Sequence, residues 1–512
     1  MKTENLLYKM KFFATLVTVL GVVALTTTKP ASAQYLGVTT GYSYANELTG
    51  PVVYPLSTNI ALYNPTAATP DKTWASWVEQ YNQAGIDFVA ADLVGSTPNA
   101  SHPPTQLSSL VTAINNASLT NSLKIAIFDD NGSSWLAQYS LASGYGYTFP
   151  PLDHPFDMSN PANWKYLYDY DYKLFYQTVP DANRFKINGR PVIFIWTGNP
   201  TYISNENGNY SKAVNYVRQQ CQADFGFNPW IVVNNDAVAN DPTLTAPGVI
   251  DGTHSWYGVS NPYNLSSYNG TSTGTLVPGY GDAAHTYLPS FIDPNHGQLL
   301  DTGLTNTVGK GALLTVVEGF TDYGEEASLW RTRNIDQNGN AMTYAQTEYD
   351  YPNQRLSILR AHSRNPFPAS QTFEAEGSDY FGGGVSVSAI ANYYRNGNIA
   401  IDDVTDTGGG YFVGWIQSGE WLEWEHVPLN GTPHIVVRVA SPIPGAQIQL
   451  VIDGIAQPAQ TIPNTGDWQT WTSFDMGPIG TFSNSYHTIR IVFPNGGLNL
   501  NWWQTQGGTP SL

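Results

Sequence analysis

The sequence predicts a multidomain protein in which a (β/α)8 barrel of the TIM type is followed by an all-β jelly-roll sandwich. Before residue 364, short apolar runs alternate with amphipathic segments of helical period. That alternation is typical of βαβ units and a parallel sheet. After residue 371 the helical period disappears and short alternating strands with turn residues replace it, as in sandwiches and jelly rolls. The predicted boundaries are 34–363 for the barrel, 364–371 for a proline-containing linker and 372–507 for the second domain.

The first 33 residues have the features of an export signal. A basic start is followed by the apolar run Phe12 to Thr26 and then by Ala31-Ser32-Ala33. This order is that of a secretory signal peptide with cleavage near Ala33. We therefore expect residues 1–33 to be removed and the mature protein to be secreted, to the extracellular space or the periplasm. No later run is long and apolar enough to predict a membrane span.

Composition restricts the partners. The formal net charge is −18, so neither nucleic acid nor an anionic membrane would be attracted to the chain. Charged residues make up only 12% of the chain and aromatic residues 13%. Aromatic faces and neutral amides suit a polysaccharide or oligosaccharide partner, although an ordinary secreted β-rich protein has a similar composition. The single cysteine, Cys221, cannot form an internal disulfide, and zinc-type spacing is absent. We expect a monomer, and no cofactor for catalysis.

The predicted elements of the first domain follow one another as strand and helix. The last apolar run, Ala312 to Val317, has the length and content of a strand buried on both faces. The other predicted strands are Leu36–Gly41, Ile86–Leu93, Lys124–Asp129, Pro191–Trp196, Trp230–Asn234, Val249–His254 and Gly274–Gly279. The predicted helices are Asp71–Gly85, Gln106–Ala117, Asn163–Val179, Ser211–Gln222 and Pro352–His362.

An open, doubly wound sheet is the alternative to a barrel. That fold usually has a glycine-rich phosphate-binding turn after its first strand. Here the first strand is followed by GYSYANELTG, which lacks that turn. Eight strands in about 330 residues favour the barrel.

The carboxyl ends of the predicted strands carry carboxylates interleaved with aromatic residues. In a barrel of parallel strands the active site is built at that edge. Hydrolysis of a glycosidic bond needs two carboxyl groups there, and aromatic rings hold the sugar by stacking. The predicted rim comprises Asp92, Asp129, Asp130, Asn235, Asp236, His254, Trp256, Tyr280, Asp282 and Glu318, with Trp135 and Trp196 beside them.

We assign the roles as follows. Glu318, at the end of the most apolar strand, is the predicted acid/base, and Asp130 is its predicted partner. Asp92 and Asp282 are the alternatives for that partner. Since adjacent strand residues face opposite ways, one of Asp129 and Asp130 is expected to point away from the rim. His254 is expected to be a hydrogen-bonded structural residue. Substrate contacts are assigned to Trp135, Trp196, Trp256, Tyr280 and Asp282.

Several motifs of the first domain resemble glycoside hydrolase families 71 and 99. They are KINGRPVIFIW, from Lys186 to Trp196, then LVPGYGD, from Leu276 to Asp282, and Val317-Glu318-Gly319. The resemblance extends over roughly residues 36–330 and implies a (β/α)8 glycoside hydrolase similar to uncharacterised secreted domains labelled xylosidase/arabinosidase-like, with no substrate implied. Family 99 has a second glutamate three residues before the one that aligns with Glu318. Here that position is Thr315, so a barrel without activity, in a protein that only binds glycans, is the alternative function.

The second domain resembles carbohydrate-binding module family 6 over its whole length. The blocks that carry the resemblance are FEAE, VGWIQSGEWLEW, VRVAS, GDWQTW and LNLNW, in this order. The resemblance implies a jelly roll with a structural calcium ion near Glu374 and Glu376. It also implies a sugar held between two rings and an asparagine. The matching positions are Tyr394 or Tyr411 for one ring, Trp468 for the other and Asn501 for the amide.

Overall fold

A computed structural model describes eleven segments of the chain, and every structural statement below concerns these residues. They are 34–41, 70–93, 104–130, 156–197, 203–281, 291–322, 327–331, 349–383, 394–395, 399–407 and 410–508. Among the helices of these segments, none is both long and apolar enough to cross a membrane.

The first domain is a mixed structure of helices and strands built around one large sheet. Its strands are β1 Tyr35–Gly41, β2 Phe88–Leu93, β3 Lys124–Asp130, β4 Phe156–Asp157, β5 Lys186–Ile187, β6 Arg190–Trp196, β7 Ile203–Ser204, β8 Trp230–Asn234, β9 Gly252–His254, β10 Tyr263–Tyr268, β11 Thr271–Leu276, β12 Tyr280–Gly281, β13 Phe291–Ile292 and β14 Leu314–Val317. Its helices are α1 Pro70–Ala84, α2 Pro104–Asn116, α3 Pro161–Leu167, α4 Lys173–Thr178, α5 Tyr210–Phe225, α6 Asn235–Asn240, α7 Gln298–Thr307 and α8 Gln354–His362.

The large sheet curls into a nearly closed, barrel-like form. The strand order is β10-β11-β14-β1-β2-β3-β6-β8-β9, and every neighbouring pair from β11 to β9 is parallel. The two ends of this row approach each other, because a Cβ added to Gly252 of β9 would lie 3.0 Å from Cγ2 of Thr271 of β11. The carboxyl ends of these strands therefore gather at one edge.

Alternate residues of the sheet enter two different cores. One face packs in the interior of the barrel-like sheet, where Phe88, Phe128, Phe194, Val232 and Val316 share a buried cluster. The other face packs against the helices, in a larger buried cluster. This alternation is the two-residue period of a strand buried on both sides, and it decides which residues at the carboxyl edge point inward.

The structure changes the bounds of several predicted strands and adds elements that were not predicted. The predicted strands that began at Ala312 and Val249 begin at Leu314 and Gly252, and the one predicted at Gly274–Gly279 lies earlier, at Thr271–Leu276. Its antiparallel neighbour β10 was not predicted, since YNLSSY lacks an apolar run. The predicted helix from Asn163 is instead two short helices joined by a π-helical turn at Tyr168–Tyr172.

The second domain is all-β and consists of two antiparallel sheets around one core. Residues of both sheets, including Val437, Trp503, Trp424 and Ile491, form that core. The sheet orders are β17-β18-β19-β27-β21-β25, with β15 beside β27, and β16-β20-β26-β22-β23, with β24 beside β22. The strands are β15 Gln371–Glu374, β16 Tyr380–Gly382, β17 Tyr394–Arg395, β18 Ile399–Asp403, β19 Tyr411–Gly414, β20 Glu420–Gly431, β21 His434–Ala440, β22 Gln447–Ile452, β23 Ile455–Ala456, β24 Gln460–Thr461, β25 Thr472–Pro478, β26 Phe482–Phe493 and β27 Asn499–Gln506.

The segment predicted as a linker is bound to both domains. The guanidinium of Arg364 pairs with Asp87 of the first domain. The carbonyl oxygen of Phe367 accepts a 2.7 Å hydrogen bond from Asn430 of the second domain, and its ring packs against Tyr486 at 4.9 Å between centroids. The segment between the two domains is therefore held by contacts with both of them, unlike a flexible linker.

Candidate functional site

Two tryptophans on the second domain are exposed on one side of it. Trp415 and Trp468 are each 43% exposed, an unusual fraction for so large an apolar side chain. Asn499 connects them: its Nδ2 donates to the carbonyl oxygen of Trp468 at 2.7 Å, and its Oδ1 lies 3.1 Å from where a Cβ on Gly414, next to Trp415, would be. The arrangement offers two aromatic faces with an amide between their backbones, which suits a sugar ring.

Packing beneath the surface fixes the orientation of Trp415. Its ring lies parallel to that of Phe412, 6.4 Å between centroids, and Phe412 in turn meets Trp471 edge-on at 5.4 Å. The backbone of Trp415 has a φ of 53°, a left-handed conformation that a bulky residue rarely adopts. Such strain persists where the surroundings over-determine it and is often found at binding sites.

The structure places three of the four predicted sugar contacts in different surroundings. Trp468 presents an exposed ring. Tyr411 is 2% exposed and lies in the core, so its assignment as a stacking ring is corrected. Tyr394 lies on a described strand, but its side chain is outside the described part. The predicted Asn501 is 2% exposed and lines the acidic cavity described below, whereas Asn499, which is 4% exposed, bonds the backbone of Trp468.

A second feature is an acidic cavity of about 270 Å³ where the two domains meet. Glu374 and Glu376 line it from the second domain and Glu79 lines it from helix α1. Asn501 also lines it, and its Nδ2 donates to Asp406 at 3.1 Å, while its buried Oδ1 has no hydrogen-bond partner among the described residues. Three carboxyl groups and the amide of Asn501 therefore border one cavity.

The carboxyl groups of this cavity lie close enough to shift one another's pKa. Burial, and then the neighbouring carboxylates of Glu376 and Glu79, raise the pKa of Glu374 well above its ordinary value. A bound cation would offset that repulsion and hold the carboxylates ionised. Carboxylate and amide oxygens are the ligands that Ca²⁺ prefers. Within the described segments there is no cluster of three or more His, Cys, Asp or Glu side chains that could hold a metal. A calcium ion here would therefore combine the two predicted glutamates, Glu374 and Glu376, with neutral oxygens such as Oδ1 of Asn501.

Three of the predicted rim carboxylates share one orientation at the carboxyl edge of the barrel-like sheet. Phe88 and Ala90 of β2 belong to the interior cluster, as do Ala126 and Phe128 of β3 and Leu314 and Val316 of β14. The next position of the same parity on each strand is Asp92, Asp130 and Glu318. By the two-residue alternation, all three point into the mouth of the barrel-like sheet. Each is partly exposed.

The neighbouring Asp129 faces the other way. It is 0% exposed and accepts a hydrogen bond from the hydroxyl of Tyr172, on the π-helical turn outside the sheet. The carboxylate of Asp129, in turn, contributes to raising the pKa of Tyr172, after burial as the main cause. Of the two adjacent aspartates, Asp130 is thus the one at the mouth, and Asp129 joins the sheet to the helix layer.

Aromatic side chains continue from the interior to the rim. Trp256 packs against Phe128 at 4.7 Å and against Tyr257 at 5.8 Å, and Tyr257 lies 5.9 Å from Tyr280. Trp196 ends β6 and pairs in register with Asp130 of β3. The predicted contacts Trp196, Trp256 and Tyr280 therefore lie at the same edge. Trp135 and Asp282 lie outside the described residues.

Asn235 and His254, two neutral residues of the predicted rim, form hydrogen bonds within the first domain. Asn235 donates to Oγ of Ser255 at 2.6 Å. His254 is fully buried, its Nε2 lies 2.9 Å from the carbonyl oxygen of Ile195, and burial lowers its pKa to about 4. The imidazole is therefore neutral at pH 7, with Nε2 as the donor, and the residue is hydrogen-bonded as predicted.

Comparison with known sequences identifies the second domain. Residues 395–505 match the family described as "Carbohydrate binding module (family 35)". The clotting factor G alpha subunit of Tachypleus tridentatus is 28% identical over 115 residues, which are 22% of this chain and 17% of that protein. The chain thus spans 17% of the length of that curated relative. The predicted carbohydrate-binding module is confirmed, and the matching family model is that of family 35.

Solved structures of such modules are similar to the same part of the chain. One is module CBM6cm-2 of lichenase 5A from Cellvibrio mixtus, in complex with cellotriose, with 30% identity over 27% of this chain and 97% of that one, and a TM-score of 0.22. A β-1,3-glucan-binding family 6 module from Bacillus halodurans has 27% identity over 28% and 97%, with a TM-score of 0.22. A family 35 module from Clostridium thermocellum has 16% identity over 27% and 98%, with a TM-score of 0.22.

The first domain matches a different family. The match covers residues 32–380, about two thirds of the chain, and thus includes the barrel-like sheet, its rim and the start of the second domain. The chain belongs to the family described as "Domain of unknown function (DUF5010)".

Proposed function

We propose that this chain is a secreted, monomeric glycoside hydrolase whose first domain cleaves a polysaccharide that its second domain holds. The observation that carries the proposal is the convergence of Asp92, Asp130 and Glu318 at the mouth of a barrel-like sheet, in a chain that also has a carbohydrate-binding module. Two carboxyl groups facing a sugar are the requirement of glycoside hydrolysis.

The strand order supports a (β/α)8 barrel. In chain order, the parallel strands are β1, β2, β3, β6, β8, β9, β11 and β14, and β14 returns to pair with β1. Helices lie between most of these strands along the chain. This is the succession of a TIM barrel, in which substrate binds at the carboxyl edge. Glu318 is the proposed acid/base, Asp130 its partner and Asp92 the alternative partner.

In the second domain, a jelly roll in the proposal, Trp415, Trp468 and Asn499 form the proposed glycan site. Rings stack on the flat apolar faces of sugars, and Asn499 bonds the backbone that carries Trp468, so the site suits a neutral, β-linked chain such as a xylan or glucan. The acidic cavity at Glu374 and Glu376 is the proposed calcium site. Calcium there would have a structural role, since the cavity is separate from the two tryptophans.

Non-catalytic glycan binding is the second candidate function, and Thr315 is the observation that favours it. The family 99 pattern places a glutamate at that position. This chain therefore lacks the second carboxylate of that pattern. Oγ1 of Thr315 lies on the same side of the sheet as Thr307 of helix α7, so position 315 faces the helix layer. Hydrolysis would need a partner for Glu318 from another strand, and without one the chain would only bind glycans.

Incubation of the mature protein with a panel of polysaccharides, followed by measurement of reducing ends, tests the proposal. The wild type is expected to release reducing ends from at least one β-linked polysaccharide, and Glu318→Gln is expected to lack this activity while still binding the polymer. If the wild type binds a polysaccharide of the panel and releases no reducing ends from any, the chain is a glycan-binding protein and the hydrolase proposal fails.

A further inference from the structure

Three polar residues lie at one level on the strands β8, β9 and β11, inside the barrel-like sheet. Asn234 of β8 and His254 of β9 are partners in register. Two residues earlier on each strand, Val232, Gly252 and Thr271 lie side by side: a Cβ on Gly252 would be 3.3 Å from Cγ2 of Val232 and 3.0 Å from Cγ2 of Thr271. Side chains two positions apart on a strand point to the same face. Asn234, His254 and Thr273 therefore lie side by side on that face.

This shared face is the interior. Val232 belongs to the interior cluster, so Asn234, two residues later on β8, also points inward. The contacts of Gly252 with Val232 and Thr271 show that Gly252 of β9 and Thr271 of β11 are on the same inner face. A second observation agrees for β11: a Cβ on Gly274 would meet Thr307 of the outer helix α7 at 2.5 Å. Gly274 therefore faces outward and Thr273 faces inward.

Each of the three residues has one buried polar atom without a hydrogen-bond partner in the described part of the chain. Asn234 uses Oδ1 to accept from the N–H and hydroxyl of Thr197, at 3.2 and 3.0 Å, which leaves Nδ2. His254 donates from Nε2 to a carbonyl oxygen, which leaves Nδ1 as a lone-pair acceptor. Oγ1 of Thr273 has no partner, and all three residues are at most 1% exposed.

Such atoms are rare in folded proteins, because a buried polar group without a partner destabilises the fold. Three of them at one level, a donor, an acceptor and a hydroxyl, match a single group that accepts one hydrogen bond and donates another. A hydroxyl group has this property. A cation would find no carboxylate among the three, and an anion would find no positively charged side chain among them.

We propose that Asn234, His254 and Thr273 form a neutral subsite for one hydroxyl group of an uncharged saccharide. This inference rests on the proposed function and specifies where the sugar enters the first domain. Register places the subsite near the candidate catalytic carboxylate Asp130: Asp130 pairs with Trp196, and Ile195 pairs with Val233, so Asn234 follows beside Trp196. The hydroxyl would accept from Nδ2 of Asn234 and donate to Nδ1 of His254, with Thr273 as a third contact.

Trp256 controls access to this subsite. It is partly buried, and its ring meets the imidazole of His254 edge-on, 5.7 Å between centroids and 77° between planes. It is two residues beyond His254 along the chain, on the rim side. A saccharide therefore reaches the three atoms when the indole turns aside.

Crystals of the mature protein soaked with xylotetraose, cellotetraose or laminaritetraose test the geometry. We expect a sugar oxygen within hydrogen-bonding distance of both Nδ2 of Asn234 and Nδ1 of His254 in at least one soak. A single ordered water at that position in all three soaks would show that the three residues only hold structural water, and the inference would be overturned.

Two matched variants test the energetics in solution. Thr273→Val removes the inward hydroxyl, and Thr315→Val removes a hydroxyl that is equally buried and without a described partner but faces the helices. Both are made in a Trp415→Ala, Trp468→Ala background, so that the second domain does not contribute to binding. Calorimetric titration with the same tetrasaccharides should show affinity about tenfold weaker for Thr273→Val, the scale of one hydrogen bond, and unchanged for Thr315→Val.

Equal affinities of the two variants would overturn the subsite. Reducing-end release, measured on the same proteins, separates this failure from a failure of the proposed function. If the Thr273 and Thr315 variants bind equally while the polysaccharide is still cleaved, the subsite is wrong and the hydrolase proposal stands. If the tetrasaccharides bind to the subsite in the crystals and no polysaccharide is cleaved, the subsite stands and the hydrolase proposal fails.

Discussion

Arg331 and Glu79 form a buried ion pair where the two domains meet. Nη2 of Arg331 lies 3.1 and 2.8 Å from the two carboxylate oxygens of Glu79, and the side chains are 2% and 9% exposed. Glu79 also accepts a hydrogen bond from the backbone N–H of Glu374, in the second domain. One carboxylate thus bonds both domains, and breaking a buried pair of this kind is strongly destabilising.

At Gly377 the junction between the domains has no room for a larger side chain. A Cβ there would lie 2.5 Å from Cζ of Arg331, and the guanidinium is held by Glu79, Gln83 and Asn353. We expect Gly377→Ala to lower the free energy of unfolding by about 1–3 kcal/mol, the usual scale of overpacking, as measured by urea denaturation of the mature protein. Gly258→Ala is the control, since a Cβ at Gly258 meets no atom within 4 Å. Equal stability of the two variants would contradict the prediction.

The glycan site can be tested by removing its rings one at a time. Trp468→Ala and Trp415→Ala should each abolish retention on a xylan or glucan in affinity electrophoresis, because each removes a stacking face. Tyr380→Ala is the matched control. Tyr380 is also aromatic and is 40% exposed, but it lies on β16, in the other sheet. Retention that survives both tryptophan variants would place the site elsewhere on the module.

The directions in which Asn499 and Asn501 point could not be predicted from the sequence. The motif LNLNW contains both asparagines two residues apart, and the resemblance to family 6 pointed to Asn501. In the structure, Arg438 pairs with Trp502 and Val439 pairs with Leu500, so a bulge leaves Asn501 without a partner in register. A bulge re-aims one side chain, which turns Asn501 toward the acidic cavity while Asn499 stays with Trp468. Residue type and spacing do not reveal such a bulge.

The first domain was more predictable because its strands are apolar runs. Runs such as PVIFIW and WIVVN can be buried only as strands between two cores, and their parity then places Asp130 and Glu318 at the mouth. Trp415 was missed for a different reason. It follows the strand β19, where alternation gives no guidance, and its exposure depends on a left-handed backbone that the sequence VGWIQ does not announce.

Chelation tests the proposed calcium site. EDTA should lower the melting temperature of the mature protein by at least about 4 °C, because a ligand that binds only the folded state stabilises it by mass action. The double variant Glu374→Gln, Glu376→Gln should melt at the same temperature with and without EDTA. A wild type whose melting temperature EDTA does not change would exclude a structural calcium ion.

His254 gives the stability a dependence on pH. Its pKa is about 4 in the fold and 6.5 in the unfolded chain, so between these values the unfolded state binds more protons. Stability from this group is therefore present above pH 6.5 and lost as pH falls toward 4, by about 3 kcal/mol in total. The stability of wild type minus that of His254→Gln, from urea denaturation at about pH 7 and about pH 4.5, isolates this contribution from the carboxylates. A difference that does not change with pH would show that His254 titrates normally.

The choice between Asp130 and Asp92 as the partner of Glu318 follows from the order of the strands. Asp92 is two strands from Glu318 and Asp130 is three, on the path β14-β1-β2-β3. Strands lie about 4.8 Å apart, so both can face Glu318 across a sugar. We assign the partner to Asp130 because it pairs in register with Trp196 and lies in the row that leads to Asn234 and His254.

Asp130→Asn should therefore reduce the rate of reducing-end release by at least about 10², and Asp92→Asn by less. Asp129→Asn is the matched control. It changes the adjacent carboxylate, which bonds Tyr172 outside the sheet, so it should lower the melting temperature and leave the rate per folded molecule near that of the wild type. A larger loss of rate for Asp92→Asn than for Asp130→Asn would show that Asp92, and not Asp130, is the partner of Glu318. Losses from Asp129→Asn as large as those from Asp130→Asn, in proteins that remain folded, would contradict the inward and outward assignment of the two side chains.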